Sequence, residues 1–186
     1  MTGQGRRSAM RCRKFPHHGA PYGAYDANMT RDSAAPVAPT LRHVSTIAIE
    51  VDEPIDLGEG ADGWRRIIPI LSGTATGEIS GRVLPGGADF QSRRPDGVTE
   101  LEARYPIETG DGTRLEVINE AIRAGSAEDI QRLMVGEPVD PARIYFRGTP
   151  RLRAPEGQWE WVNRTLFVAT GVRRPDAVEL TVFAIE

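Results

Sequence analysis

From Leu41 onward the chain is written in a two-residue alternation of apolar and polar positions. In HVSTIAIEV, Ser45, Ile47, Ile49 and Val51 share one side, which predicts a first strand. The acidic, Gly-rich DEPIDLGEGADG reads as a hairpin or a longer connection over a rim. WRRIIPILSGTATGEISGRVL predicts two more strands, with a turn among Gly73, Thr74 and Gly77. Pro69 belongs at an edge or a bulge, because it cannot donate a ladder hydrogen bond. Pro85-Gly86-Gly87 and Pro95-Asp96-Gly97 carry strong turn chemistry. Between them and the turn at Gly110-Asp111-Gly112, residues 99–109 alternate again. Leu101, Ala103, Tyr105 and Ile107 lie on one face, and Glu102, Arg104 and Glu108 on the other. RLEVINEAIRA then sets Leu115, Val117 and Asn119 opposite Glu116, Ile118 and Glu120.

One segment changes period. Ser126 is a natural helix N-cap, Asp129 stands at the capping-box position, and Ile130, Leu133 and Met134 follow at helical spacing. Gly136 and Pro138 close this short helix, which suits a plug or cover for one end of a sheet. Strands return in ARIYFRGTPRLR, QWEWVNRTLFVATGVRR and AVELTVFAIE. In the second of these, Trp159, Trp161, Asn163, Thr165 and Phe167 share one face. The pattern amounts to about eight to ten antiparallel strands with short turns. It predicts an all-β fold, a closed or nearly closed antiparallel barrel with one short helix.

Composition restricts the chemistry. The 186 residues are 39% hydrophobic and 26% charged, which suits one globular domain, residues 41–186. Residues 1–40 lack apolar periodicity and read as an unstructured, basic tail, with Met29 as an alternative translation start. They hold six basic and two acidic groups, leaving the body 17 basic and 24 acidic groups. An acidic body argues against nucleic acid as a partner. No run approaches a membrane span and no secretory apolar region follows the N-terminal arginines, so the expected location is cytoplasmic. Cys12 and Lys14 are the only Cys and Lys, and His43 is the only histidine of the body. That excludes Schiff-base, thiol and His/Cys zinc chemistry there, and no nucleophile-elbow motif accompanies His43. The acidic loop Asp52, Glu53, Asp56, Glu59 and Asp62 lacks calcium-loop spacing and reads as solvated, so no metal and no cofactor is expected.

Several blocks follow one another in an order that resembles a known family: RIIPILSGTATGEISGRVLPGGADFQ, DGVTELEARYPIETGDGTRLEVIN, YFRGTPRLR and WEWVNRTLFVATGVR. The family is the bacterial and fungal one catalogued as domain of unknown function thirty-two thirty-seven, and the resemblance spans roughly residues 41–186. Phe90 replaces a Trp of its GADW-Q block, and Glu102 an Asp of its L-D-A-R-Y block. The resemblance implies a calycin-like antiparallel β-barrel, usually oligomeric, and no agreed activity.

The candidate site is drawn from carboxylates, arginines, amides and aromatics. Glu102 or Asp89 is the candidate general base, and Arg104 and Arg147 the candidate anion stabilisers. Gln91, Asn119, Tyr145 and Asn163 would orient a ligand against an apolar wall of Trp161 and Phe167. These parts suit a small, largely apolar or aromatic molecule in the barrel cavity and cofactor-free isomerase, lyase or cyclase chemistry. Two alternatives stand beside that reading: a barrel that binds without catalysis, and a structural homo-oligomer in which Glu102 and Arg104 pin strand register or lie on a solvated outer face. Parity leaves open which face of each strand points inward.

Overall fold

The alternation closes on itself. In the computed structural model, which describes residues 37–61, 63–174 and 177–186, ten strand segments form one antiparallel sheet whose first and last strands pair. They are β1 (Leu41–Val51), β2 (Ile55–Gly60), β3 (Gly63–Gly77), β4 (Gly81–Val83), β5 (Gly87–Arg93), β6 (Thr99–Thr109), β7 (Arg114–Ala124), β8 (Tyr145–Arg153), β9 (Phe167–Arg173) and β10 (Ala177–Ile185). β1 and β2 run along the same long β3, and β4 and β5 together bridge β3 to β6. Eight barrel positions result. The ring is closed where Leu41 to Glu50 pair with Ile185 to Ala177. Closure removes the exposed edges that an open sheet of this length would present.

Two elements differ from the sequence reading. The acidic connection is partly a strand, the exposed β2, which pairs with β3 from Ile67 to Gly63. WRRIIPILSGTATGEISGRVL folds as the two strands expected of it, β3 and β4, and the turn comes directly after Gly77, at the end of the 15-residue β3. Its register shifts opposite Glu50 and Val51, leaving Leu71 as a bulge near Pro69, where pairing passes from β1 to β2. The Trp-rich segment before Phe167 is a 3₁₀ turn, Glu160–Arg164. The tail reading of residues 1–36 and the Met29 start lie outside the described residues. Thr40 already joins the barrel, through paired backbone bonds with Glu186 at 2.7 and 2.9 Å.

Inward positions are apolar through most of the barrel. Ile47, Ile49, Ile70, Tyr105, Ile107, Leu115, Val117, Leu180 and Val182 are buried, each aliphatic contributing about 1.5–3 kcal/mol. The two ends are closed differently. The 3₁₀ turn inserts Val162 into the end where β6 passes to β7. At the opposite end, where β7 leaves the barrel, lies α1 (Ala127–Met134), the expected helix. Ser126 Oγ accepts from Asp129 N at 3.1 Å and starts it. Buried Ile130 and an Asp129–Arg143 ion pair of 2.9 Å dock it. None of the helices among the described residues is long and apolar enough to cross a membrane.

Candidate functional site

The apolar lining gives way to polar side chains toward the helix-covered end. On β5, β6 and β7, Asp89, Ala103 and Asn119 are direct cross-strand neighbours, so a carboxylate and an amide flank a side chain of one carbon. One residue pair closer to the helix, Gln91 lies beside Leu101, and across β3 it faces Arg66. Arg123 stands one residue before the end of β7 and Arg173 closes β9, each following inward-facing small or apolar residues. Asp89, Gln91, Asn119, Arg66 and Arg123 are all buried, while Arg173 is half-buried.

These groups form a relay. Arg66 Nε donates to Gln91 Oε1 at 2.9 Å, and Gln91 Nε2 donates to Asp89 Oδ2 at 2.6 Å. Arg123 reaches the same Gln91 oxygen at 3.5 Å, with its guanidinium 5.8 Å from the Phe146 ring centre. Two glycines make room for this. A Cβ on Gly148 would stand 2.5 Å from Asn119 Oδ1, and one on Gly171 would stand 2.5 Å from the Phe146 ring. Asn119 and Phe146 are therefore seated against bare backbone.

The relay leaves polar atoms without partners among the described residues. Asp89 Oδ1, Asn119 Oδ1, Tyr105 Oη and Arg123 Nε are buried and unpaired. Such groups mark either an unplaced water or a ligand. Asp89, Gln91, Asn119 and Arg173 also line an interior cavity of about 30 Å³, the space of roughly one water molecule. Burial raises the Asp89 pKa, against the Gln91 hydrogen bond and the arginine charges that lower it. Burial likewise pushes Arg123 down to about 10, helped by the charges of Arg66 and Arg173. Arg66 is lowered by burial first and by Arg173 next. Tyr105 is raised by burial and by Asp89, so it stays a donor.

The sequence-derived candidates separate into three places. Asp89, Gln91 and Asn119 meet in this interior cluster. Glu102, Arg104, Tyr145 and Arg147 do not: they alternate with the buried residues of β6 and β8 and project from the outer wall. There Glu102 stands opposite Glu120, Arg104 approaches Glu116 at 4.0 Å, and Arg147 lies over the Tyr145 ring at 5.4 Å. Trp161, Asn163 and Phe167 belong to the other end of the barrel. Trp161 packs on Phe167 with ring centres 6.0 Å apart, and Asn163 clasps the Ala154 backbone with two bonds of 2.9 Å. Glu102 and Arg104 thus both point away from the interior, on the face of β6 opposite to Leu101 and Ala103. Arg66, Arg123, Arg173 and Tyr105 take the positions that the sequence reading left empty. Their signal was present, as an arginine at the end of an inward run, in Ala121-Ile122-Arg123 and Gly171-Val172-Arg173.

Comparison with known proteins places this barrel in a family. The model described as "Protein of unknown function (DUF3237)" matches residues 39–185, and the chain belongs to that family. A Rhodopseudomonas palustris protein of unknown function is 43% identical, covers 81% of this chain and 100% of its own, and superposes with a TM-score of 0.79. A β-barrel-like protein of Acinetobacter baumannii is 32% identical, over 82% and 99% of the two chains, with a TM-score of 0.72. An enzyme of Penicillium herquei shares the fold at 16% identity, over 82% and 98%, with a TM-score of 0.62.

Proposed function

We propose that the barrel binds a small molecule at its helix-covered end and moves a proton there without a cofactor, as an isomerase, lyase or cyclase does. One observation carries this reading: Asp89 keeps an unpaired oxygen in the interior, beside the unpaired Asn119 Oδ1 and a cavity lined by both residues. A carboxylate whose pKa burial raises is a stronger base than an exposed one, suited to take a proton and return it. Gln91 fixes its other oxygen, Asn119 orients the ligand, and the guanidinium groups of Arg66, Arg123 and Arg173 stabilise negative charge as it develops. The space of about 30 Å³ admits one polar group, so the reacting oxygen of the ligand enters and the remainder stays toward α1.

Native mass spectrometry of protein incubated with an extract of its own host tests the binding. The expected result is a small molecule that is released on denaturation, retained by Arg147→Gln and lost from Asn119→Leu. Retention by Asn119→Leu with loss from Arg147→Gln would transfer the site to the outer wall.

The homo-oligomer reading rests on a separate surface. On the outer wall Phe90, Ile122 and Tyr145 are exposed, and Glu102 faces Glu120 across the β6–β7 ladder. Like charges directly opposite destabilise a sheet pair. Arg104, Arg147 and Arg151 lie on the same wall, so a twofold-related copy would set base against acid. Light scattering tests this reading: Ile122→Asp is expected to yield monomer, and a wild-type mass already monomeric would end it.

A further inference from the structure

We infer that the ligand group received at the helix-covered end is an oxyanion: a carboxylate, or the enolate or phenolate oxygen left when a hydroxyl gives up its proton. The inference rests on the proposed small-molecule site and names the charge of what enters it.

Among the described residues, two buried guanidinium groups, Arg66 and Arg123, stand with one buried carboxylate, Asp89, in this part of the interior. Arg66 is 8% and Arg123 4% exposed, and each feels the other or Arg173 as a like charge. Among the described residues, the buried carboxylate that acts on both is Asp89. It spends its bonded oxygen on the Gln91 amide, with neither guanidinium bonded to it. The Gln91 carbonyl, a neutral group, takes Arg66 and weakly takes Arg123. A buried guanidinium without a carboxylate partner is costly to keep. Among the described residues Arg123 is kept that way, seated on Phe146 with Nε unpaired. Its planar fork matches an oxyanion better than it matches the single amide oxygen it now touches.

The arrangement also accounts for Asp89 beside such an anion. A hydroxyl entering the cavity would lose its O–H bond, the proton passing to Asp89 Oδ1 and the electron pair staying on the oxygen that faces the arginines. Asp89, then neutral, donates back to that oxygen, so no two negative charges meet. The reverse transfer returns the hydroxyl. A ligand entering as a carboxylic acid would pass its proton to Asp89 Oδ1 in the same way, leaving its carboxylate facing the arginines.

Acetate and its neutral counterpart acetamide separate charge from shape. Each is titrated at matched ionic strength into the full-length protein, following the melting temperature and the Arg123 Nε–H resonance by NMR. Acetate is expected to raise the melting temperature saturably and to shift that resonance, whereas acetamide does neither. Arg123→Gln should weaken the acetate effect at least about tenfold, with Arg66→Gln as a second variant and Arg147→Gln retaining it. Equal effects of acetate and acetamide would overturn the inference, as would an Arg123→Gln protein that responds like wild type. Acetamide binding lost in Asn119→Leu, with acetate inert, would refute the charge and leave the small-molecule site standing. Failure of both probes in a protein that also retains no ligand from host extract would remove both.

Discussion

Removing Arg123 should make the unliganded protein more stable, which is the opposite of what an interior arginine in a structural ion pair does. The perturbation is Arg123→Met, which keeps an unbranched side chain and removes the charge. Burial, and then the charges of Arg66 and Arg173, hold the Arg123 pKa at about 10, below the ordinary arginine value. At about 1.4 kcal/mol per tenfold change in acidity, the charged form carries a penalty of roughly 3 kcal/mol in the folded state. Against this stands the Phe146 contact, about 0.5–2 kcal/mol, since the 3.5 Å approach to Gln91 adds little. The net is a gain of about 1–2 kcal/mol, or a melting temperature higher by about 2–8 °C in a chain of this size. The pH signature has a fixed sign. A folded pKa below the unfolded one means that the folded state binds fewer protons above pH 10. Wild-type stability therefore recovers as pH rises from about 10 into the ordinary arginine range, and Arg123→Met lacks that recovery. Urea unfolding at pH 7.5, without small anions, measures the difference. A loss of about 3–5 kcal/mol, as when a buried ion pair is broken, would refute the reasoning.

Other expectations follow from the same geometry. Asp89 has the opposite sign: its folded pKa is raised, so its stabilising contribution is full in acid and fades as pH rises through that pKa. Asp89→Asn should flatten this decline and unfold at higher urea than wild type above it; an unchanged stability–pH profile would count against a buried Asp89. Gly148→Ala should displace Asn119, costing about 1–3 kcal/mol by overpacking and weakening ligand retention in native mass spectrometry. Asp129→Ala removes the buried partner of Arg143 and Ser126, and should cost about 1–3 kcal/mol in urea unfolding. Its effect on hydrogen exchange should concentrate in residues 127–134, and uniform exchange changes would contradict a docking role.

Most of the fold was legible because a period of two residues survives any tertiary context that buries one face. Thr99–Thr109 emerged with the bounds its alternation gave, and Ser126 capped α1 as its position in the sequence requires. The Trp159-to-Phe167 stretch failed for a physical reason: a 3₁₀ turn of five residues can present aromatic side chains at spacings that also read as alternation. Of the glycines read as turn residues, Gly77 does end β3, whereas Gly73 lies within the strand, needed there for close approach to the Ala48 carbonyl.

The interior polar cluster was legible by half. Asn119 shares parity with Leu115, Val117 and Ala121, which is what marks an inward polar group, whereas Asp89 and Gln91 alternate with Ala88 and the exposed Phe90 and carry no such mark on their own strand. Glu102 and Arg104 attracted attention as a charged face, yet on a barrel strand a charged face is ordinarily the solvent side. Arg66 and Arg123 were passed over for the converse reason. Arg123 follows Ala121 and Ile122, Arg66 follows Arg65 and precedes Ile67 and Ile68, and only the closed ring shows that they meet around the same glutamine.

The inner and outer carboxylates can be set against each other directly. Turnover of the ligand recovered from host extract, measured for Asp89→Asn and Glu102→Gln beside wild type, tests whether the chemistry belongs to the interior. The account predicts that Asp89→Asn loses at least about 100-fold in rate while still retaining the ligand, and that Glu102→Gln turns over like wild type. Wild-type turnover by Asp89→Asn, with loss in Glu102→Gln, would contradict it.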